Sequence, residues 1–200
     1  MRSLTTHSLA TIIASLALLS SCSHHVQGSE RPADVADGQG QALILNELEG
    51  ERLLHRPPPG ALSNLTAPFI LKVDRRNGGA PEFVMLTEDL PPGQAISPHR
   101  HPNSDEIIFV HGGTGLASVR GRQVVVGAGA TIYMPRNTVV GLRNTGEGAL
   151  RIVAIFSRPG YEEYLREISV PEGQVATPLT VEELSAIRAR HVAYAVYERP

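Results

Sequence analysis

The chain has 200 residues, of which 42% are hydrophobic and 19% are charged, with 19 Gly, 15 Pro and no Trp. This composition is typical of a globular protein of one or two domains, and it excludes collagen-like, coiled-coil and wholly disordered chains. The 18 basic and 20 acidic side chains give a net charge of −2 and form no basic stripe, so we expect no nucleic-acid partner. The single cysteine, Cys22, excludes an intramolecular disulfide and a multi-cysteine zinc site.

Residues 1–22 predict an export signal. They carry one charged residue, Arg2, before the largely apolar run Leu9–Leu19, which is too short for the about 20 residues that span a bilayer. The segment Leu19-Ser20-Ser21-Cys22 resembles the lipobox of bacterial lipoproteins. That resemblance implies lipidation of Cys22 and anchoring to the bacterial cell envelope, on the periplasmic face of the outer membrane because Ser23 follows the cysteine. The alternatives are an ordinary signal peptide with a chance cysteine, or a buried N-terminal helix.

Residues 23–60 are predicted to be a flexible tether followed by an edge segment. Residues 23–41 are polar and contain several Gly and Pro, as flexible linkers do. Residues 43–54 are ambiguous, and we interpret them as a strand at the domain edge before Pro57-Pro58-Pro59-Gly60 breaks the chain.

Residues 61–158 are predicted to form an all-β domain, a small antiparallel barrel or sandwich of the jelly-roll type. Nine short β-type runs are separated there by Gly, Pro and Asn. The runs are Phe69–Asp74, Glu82–Thr87, Gln94–His99, Glu106–Val110, Gly115–Arg120, Gln123–Val126, Thr131–Met134, Thr138–Arg143 and Ala149–Phe156. Their spacing leaves no room for a parallel βαβ fold.

Residues 159–200 are predicted to be a helical extension. Tyr161, Tyr164 and Leu165 lie at helical spacing, and Thr180-Val-Glu-Glu183 is a capping box that begins a second helix. We expect the two helices to close the open side of the barrel or to pack on its outside. The two tyrosines are interpreted as packing residues.

A candidate metal site lies between the third and fourth runs. His99 and His101 project from one face of an extended chain, about 7 Å apart, and the turn Pro102-Asn103-Ser104 can bring Glu106 opposite them. Two imidazoles and one carboxylate suit Fe(II), Mn(II), Ni(II), Cu(II) or Zn(II). We therefore predict a divalent transition metal bound by His99, His101 and Glu106. His111 is five residues beyond Glu106 and is expected on the opposite face of the strand.

The same residues carry a family resemblance. Gly93, His99, His101, Glu106 and Gly113 are separated by five, one, four and six residues, which resembles the first signature motif of the cupin superfamily. A second motif is matched at three positions and departs from the family at two. It matches at Gly129, Pro135 and Asn144, whereas Asn137 replaces a glycine and Val140 replaces the third metal-binding histidine. The resemblance covers roughly residues 80–156 and implies a small antiparallel cupin β-barrel.

Val140 leaves two interpretations of the site open. The first is a three-ligand metal site with an additional open position, and the second is a degenerate site with weakened metal affinity; we favour metal binding because three ligands keep their spacing. Candidates for the apolar lining of a substrate pocket are Tyr133, Val140, Leu142 and Phe156, although each could equally be a core residue. His24, His25 and His55 are interpreted as solvated, and His191 as a surface or packing residue.

Three functions follow from this sequence. The first is a metal-dependent oxygenase resembling quercetin-dioxygenase-like cupins, which would act on a small phenolic or enol-containing molecule with Glu106 also serving as a base. The second is a binding module that holds a sugar, a phenolic molecule or a metal complex without turnover. The third is a structural envelope protein. The resemblance to cupins also implies a homodimer.

Overall fold

The computed structural model describes residues 40–60, 68–77 and 82–198. The predicted export signal with Cys22, and most of the predicted tether, lie outside the described residues and stay predictions. In the part of the chain that is described, no helix combines the length and the apolar content that crossing a membrane requires.

Short strands dominate this part of the chain, and two helices follow the tenth of them. The strands are β1 (Glu51–His55), β2 (Phe69–Val73), β3 (Val84–Leu90), β4 (Ala95–Arg100), β5 (Glu106–Gly112), β6 (Thr114–Val119), β7 (Arg122–Gly127), β8 (Thr131–Met134), β9 (Val140–Asn144), β10 (Leu150–Phe156), β11 (Ser169–Pro171) and β12 (Val196–Tyr197). The helices are α1 (Tyr161–Glu167) and α2 (Val181–Arg190).

The strands form two antiparallel sheets. One has the order β11-β1-β2-β3-β10-β5-β8 and the other the order β12-β4-β9-β6-β7. Strands that are distant in sequence, such as β3 and β10, are neighbours in space, as in a jelly roll. The predicted all-β fold with two C-terminal helices is confirmed, and each of the nine predicted runs coincides with one of the strands β2–β10.

The core lies between the two sheets and follows from the two-residue alternation of strands. Along β10, Leu150, Ile152, Ala154 and Phe156 are buried, whereas the residues between them are half-buried. The smaller sheet contributes buried residues such as Leu142 to the same cluster. Since both inner faces are apolar, the sheets are stabilised by packing against each other.

The segments outside the predicted barrel also belong to the sheets. Residues 43–54 do contain a strand, but β1 is not at the edge, because β11 pairs with its outer side. At the other sheet, β12 pairs with β4 and places Tyr197 opposite His99. Strands of two and three residues are too short to show a periodic pattern, so the sequence did not predict β11 and β12.

The two helices pack on the barrel, and residues of both line its cavity. Tyr161, Tyr164 and Leu165 of α1 and Ile187 of α2 join the core. The capping box is confirmed: the Glu183 backbone N–H donates to the Thr180 hydroxyl at 3.0 Å, and the Thr180 N–H donates to the Glu183 carboxylate at 2.7 Å.

Candidate metal centre

Three potential metal ligands converge where β4 ends and β5 begins. The Nε2 atoms of His99 and His101 are 3.0 Å apart, and His101 Nε2 is 3.4 Å from Glu106 Oε2. One ligand atom from each of the three residues lies within 4.8 Å of the others, and all three residues are buried. The structure therefore brings together the three residues predicted as ligands.

Both imidazoles are held in one orientation by carbonyl groups behind them. His99 Nδ1 lies 2.9 Å from the carbonyl oxygen of Ser97, and His101 Nδ1 lies 2.7 Å from that of Tyr194. A carbonyl oxygen only accepts, so each Nδ1 carries the proton and donates it. Each neutral ring then presents the lone pair of Nε2 to the centre, as ligating histidines do.

The donor set fits a cation. Because each Nδ1 donates its proton to a carbonyl group, the two Nε2 atoms face each other at 3.0 Å, an arrangement that a cation bound by both would stabilise. Glu106 Oε2 is buried and has no hydrogen-bond partner among the described residues, which is costly for a carboxylate. A divalent metal would satisfy all three groups.

Burial also keeps His99 available as a ligand. It lowers the pKa of His99, and the neighbouring His101 lowers it further, whereas Glu106 and the bond to Ser97 act in the opposite direction. The imidazole is thus neutral near pH 7, which is the form that binds metal.

The metal centre opens into a cavity of about 240 Å³ that contains His99 and Glu106 in its wall. Most of the wall is apolar and comes from the inner face of the larger sheet and from α1 and α2. It includes Leu86, Ile108, Ile152, Ala154, Phe156, Tyr161, Tyr164, Leu165, Leu184 and Tyr197. An apolar cavity with a few polar groups is the usual form of a small-molecule site.

The four residues predicted to line the pocket have different positions. Phe156 lines the cavity. Val140 and Leu142 are buried in the core between the sheets and are not part of the wall. Tyr133 is 58% exposed and points away from the cavity, because its neighbours Ile132 and Met134 on β8 take the inward positions.

Two tyrosines that the sequence does not assign to the site, Tyr161 and Tyr197, lie against the imidazoles. The ring of Tyr161 meets that of His101 edge-on, with centroids 4.4 Å apart, and Tyr197 stacks on His99 at 5.2 Å. Their hydroxyl groups are 3.2 Å apart. Tyr161 therefore belongs to the site as well as to the core. Nothing in the sequence indicates Tyr197, because β12 is brought to His99 only by the fold.

The interpretation of His55 as a solvated residue is wrong. Its ring stacks on Phe69 at 4.4 Å and lines the cavity. His111 lies on the exposed outer face of β5, as expected. His191 packs on Tyr164 at the end of α2, and its Nε2–H donates to the Glu167 carboxylate at 2.8 Å.

Comparison with known proteins agrees with this geometry. Residues 86–156 match the family model for the cupin domain (Cupin_2). This segment is similar to a cupin domain. The match begins in β3 and ends at the last residue of β10, so it contains the three candidate ligands and most of the two sheets.

Relatives and solved structures extend the comparison. Germin-like protein 11-1 from Oryza sativa subsp. japonica is 28% identical over 108 residues, which are 50% of this chain and 49% of that protein. The chain thus spans about half the length of this curated relative. A structure described as a predicted oxalate decarboxylase from Thermotoga maritima is 18% identical, covers 58% of this chain and 100% of its own, and gives a TM-score of 0.50. KdgF from Halomonas sp. is 15% identical over 61% of this chain and 99% of its own, with a TM-score of 0.48. The match to the Thermotoga structure supports the cupin fold.

The first departure of this segment from the cupin motif has a local explanation. Asn137, which replaces a glycine, adopts a φ of 64°, and asparagine tolerates this left-handed conformation better than most residues. The turn is kept, and the Asn137 N–H donates to the His101 carbonyl at 2.9 Å. The backbone of one ligand is therefore supported despite the substitution.

The second departure puts an apolar side chain where the motif has a third histidine. Val140 of β9 pairs with His99 of β4 and is 1% exposed. We expect Val140→His to raise the affinity for Zn(II) by at least about tenfold, because the new imidazole would lie directly across from His99. Competition with a chelator of known affinity measures the change. Val140→Leu, which adds bulk but no donor, is the control, and equal affinities of the two variants would contradict the prediction.

The cavity wall also contains a carboxyl group beside an imidazole: Glu88 Oε1 lies 3.8 Å from His55 Nε2. Burial, with a smaller contribution from the charge of Asp89, raises the pKa of Glu88 from 4.5 to about 7. Burial lowers the pKa of His55 to about 4. At neutral pH the imidazole is uncharged and the carboxyl group is partly protonated.

These shifts predict a pH-dependent stability. Glu88 costs no stability below about pH 4.5, where it is protonated in both states, and destabilises the fold increasingly up to about pH 7. Relative to the native chain, Glu88→Gln is expected to gain about 2 kcal/mol of unfolding free energy between pH 4.5 and 7.5. Urea denaturation at several pH values with a chelator present measures the gain. The exposed Glu147→Gln is the control, and a pH-independent difference for Glu88→Gln would refute the prediction.

Proposed function

We propose that this protein binds a divalent transition metal through His99, His101 and Glu106 and acts on a small phenolic or enol-type molecule in a dioxygenase-like reaction. The observation that carries the proposal is the buried cluster of two Nε2 lone pairs and one unpaired carboxylate at the wall of an apolar cavity. When bound there, a metal such as Fe, Mn, Ni, Cu or Zn would supply Lewis-acid chemistry and open positions for substrate or dioxygen. The resemblance to quercetin-dioxygenase-like cupins supports this choice of substrate class.

The residues of the chain have distinct tasks in this proposal. The apolar wall around Phe156 and Ile108 accepts a flat, mostly apolar molecule and excludes water. Tyr161 and Tyr197 hold the two imidazoles in place from the side of the C-terminal segment. Glu106 would serve as the base once it is displaced from the metal, because its Oε2 has no hydrogen-bond partner among the described residues and could then take the proton of a substrate hydroxyl.

A specific observation favours a second function. Val140 stands at the position of a third histidine, and no other side chain in the described part of the chain joins the cluster of His99, His101 and Glu106. A site with fewer ligands can hold a metal too weakly for turnover. The protein would then be a non-catalytic module of the cell envelope that binds a small molecule or a sugar.

Oxygen consumption separates the two functions. Protein reconstituted in turn with Fe(II), Mn(II), Ni(II), Cu(II) and Zn(II) is incubated with quercetin or catechol in an oxygen electrode. The oxygenase proposal expects substrate-dependent oxygen uptake with at least one redox-active metal and none with His99→Ala. Tight binding of the probes without uptake for any metal would support the binding module.

We also propose that the protein is a lipoprotein, attached through Cys22 to the periplasmic face of the outer membrane, and that it forms a homodimer. The lipobox-like segment around Cys22 supports the anchor, and the cupin resemblance supports the dimer. Palmitate labelling of the full chain is expected to be lost in Cys22→Ser, and labelling that persists would overturn the anchor. Light scattering of the full chain in detergent tests the dimer.

A further inference from the structure

A carboxyl group occupies an otherwise apolar row of the cavity wall. Along β3, Val84, Leu86 and Leu90 are buried on the inner face, and Glu88 takes the position between the last two. Its side chain lines the cavity and is 18% exposed. No described residue donates a hydrogen bond to it. Placing a carboxyl group there without a partner costs stability, which is expected when the group serves a ligand.

His55 faces this carboxyl group across a gap. Its ring is fixed between Phe69, at 4.4 Å, and the Ser169 hydroxyl, which lies 3.1 Å from Nδ1. Its Nε2 is 3.8 Å from Glu88 Oε1, too far for a hydrogen bond. An oxygen atom beside both groups can bond to each of them. A hydroxyl group suits the gap whichever nitrogen carries the proton, because it both donates and accepts.

Glu88 and His55, here called the distal pair, lie well away from the metal ligands in the same cavity. Glu88 is opposite Ile152 on β10, whereas Glu106 is opposite Phe156, four residues further along that strand. Four residues of a strand span about 13 Å. The wall between them is apolar and includes Ala154. A ligand that reaches both ends must be apolar in the middle and carry oxygen atoms at its two ends.

We propose that the distal pair binds a second hydroxyl group of the ligand, so that the preferred ligand is an elongated phenolic or enol-type molecule hydroxylated at both ends. The inference rests on the proposed function, which places the first oxygen of the ligand at the metal centre. A carboxylate at the far end is disfavoured, because it would meet Glu88 and the adjacent Asp89. The distal pair thus determines specificity, whereas the three ligands determine where the reaction occurs.

Two matched probes test the inference. They are 4-(4-hydroxyphenyl)catechol and 4-phenylcatechol, which differ only in the distal hydroxyl group. Their dissociation constants are measured by calorimetry without oxygen on the Zn(II)-loaded protein, because zinc has no redox chemistry and the probes are not consumed. We expect the hydroxylated probe to bind about tenfold more tightly, which corresponds to one hydrogen bond to a charged or strongly polar group. In Glu88→Leu the two probes should bind equally.

The controls separate this inference from the proposed function. Asp89→Asn changes the neighbouring carboxylate, which pairs with Arg151 at 3.3 Å, and should keep the preference. His55→Phe should reduce the preference for the hydroxylated probe. This variant tests the distal pair if Glu88→Leu does not fold. Equal binding of both probes to the native chain, a preference that persists in Glu88→Leu, or one that is undiminished in His55→Phe overturns the distal pair. His99→Ala should weaken both probes alike.

The proposed function fails separately if His99→Ala binds both probes as tightly as the native chain while Glu88→Leu still abolishes the preference. The distal pair would then stand as part of a binding module. If neither probe binds the native chain, the proposed substrate class and the distal pair are both overturned.

Discussion

Replacing His99 with alanine is expected to lower the affinity for Zn(II) or Mn(II) about 100-fold or more. Loss of an outer-shell partner alone typically costs about 10- to 100-fold, and His99 offers a lone pair directly to the centre. Its Nε2 lies 3.0 Å from that of His101. The His101 ring is held by the Tyr194 carbonyl, so it stays in place when the His99 imidazole is removed and does not replace that ligand. Mass spectrometry of dialysed protein gives the bound equivalents, and chelator competition gives the affinity.

His111→Ala is the matched control for this prediction. His111 lies on β5, like Glu106, but its side chain is on the outer face. The variant should bind as much metal as the native chain, and circular dichroism should show that both variants fold. Equal metal content of His99→Ala and His111→Ala would mean that the cluster at the cavity is not the metal site.

An ion cluster around Arg166 predicts the largest change in stability. Arg166 of α1 binds Asp74 after β2, and it also donates to Glu51 of β1 at 2.8 Å and to Glu163 at 3.0 Å. Its side chain is 9% exposed and that of Asp74 is 1% exposed. The guanidinium thus ties the helix that carries Tyr161 to the larger sheet, and it neutralises a carboxylate that water cannot reach.

Arg166→Met is expected to lower the free energy of unfolding by about 3 kcal/mol, because it leaves the charge of Asp74 buried without its partner. Two backbone N–H groups, of Arg76 and Asn77, still donate to Asp74 at 2.9 Å and 3.0 Å and limit the loss. Urea denaturation at pH 7 with a chelator present measures it, since bound metal would add stability of its own.

The control for Arg166→Met is an ion pair at the surface. Arg190 pairs with Glu167 but is 56% exposed, and exposed pairs contribute about 0–1 kcal/mol. Arg190→Met should therefore change stability little. The double variant Arg166→Met with Asp74→Asn should recover part of the loss. Similar effects of Arg166→Met and Arg190→Met would show that the buried cluster does not stabilise the fold.

Glu88 interrupts an apolar pattern that the sequence of β3 already contains. The residues Val84, Leu86 and Leu90 alternate with period two, and a carboxyl group at position 88 interrupts the apolar face. The run predicted from the sequence ends at Thr87, one residue before Glu88, and therefore does not include the interruption. His55 carried no such pattern, because β1 has five residues and lies next to a proline-rich segment.

The sequence by itself determined the nine barrel strands, the capped second helix and the three candidate ligands, because each depends on local spacing. Strand alternation places His99 and His101 on one face, and a turn of fixed length brings Glu106 back to them. The tertiary structure alone decided which distant residues complete the site. Tyr194 and Tyr197 reach the imidazoles because β12 pairs with β4, and Glu88 meets His55 because β3 and β1 both pair with β2. Such contacts join segments far apart in sequence, where no local pattern constrains them.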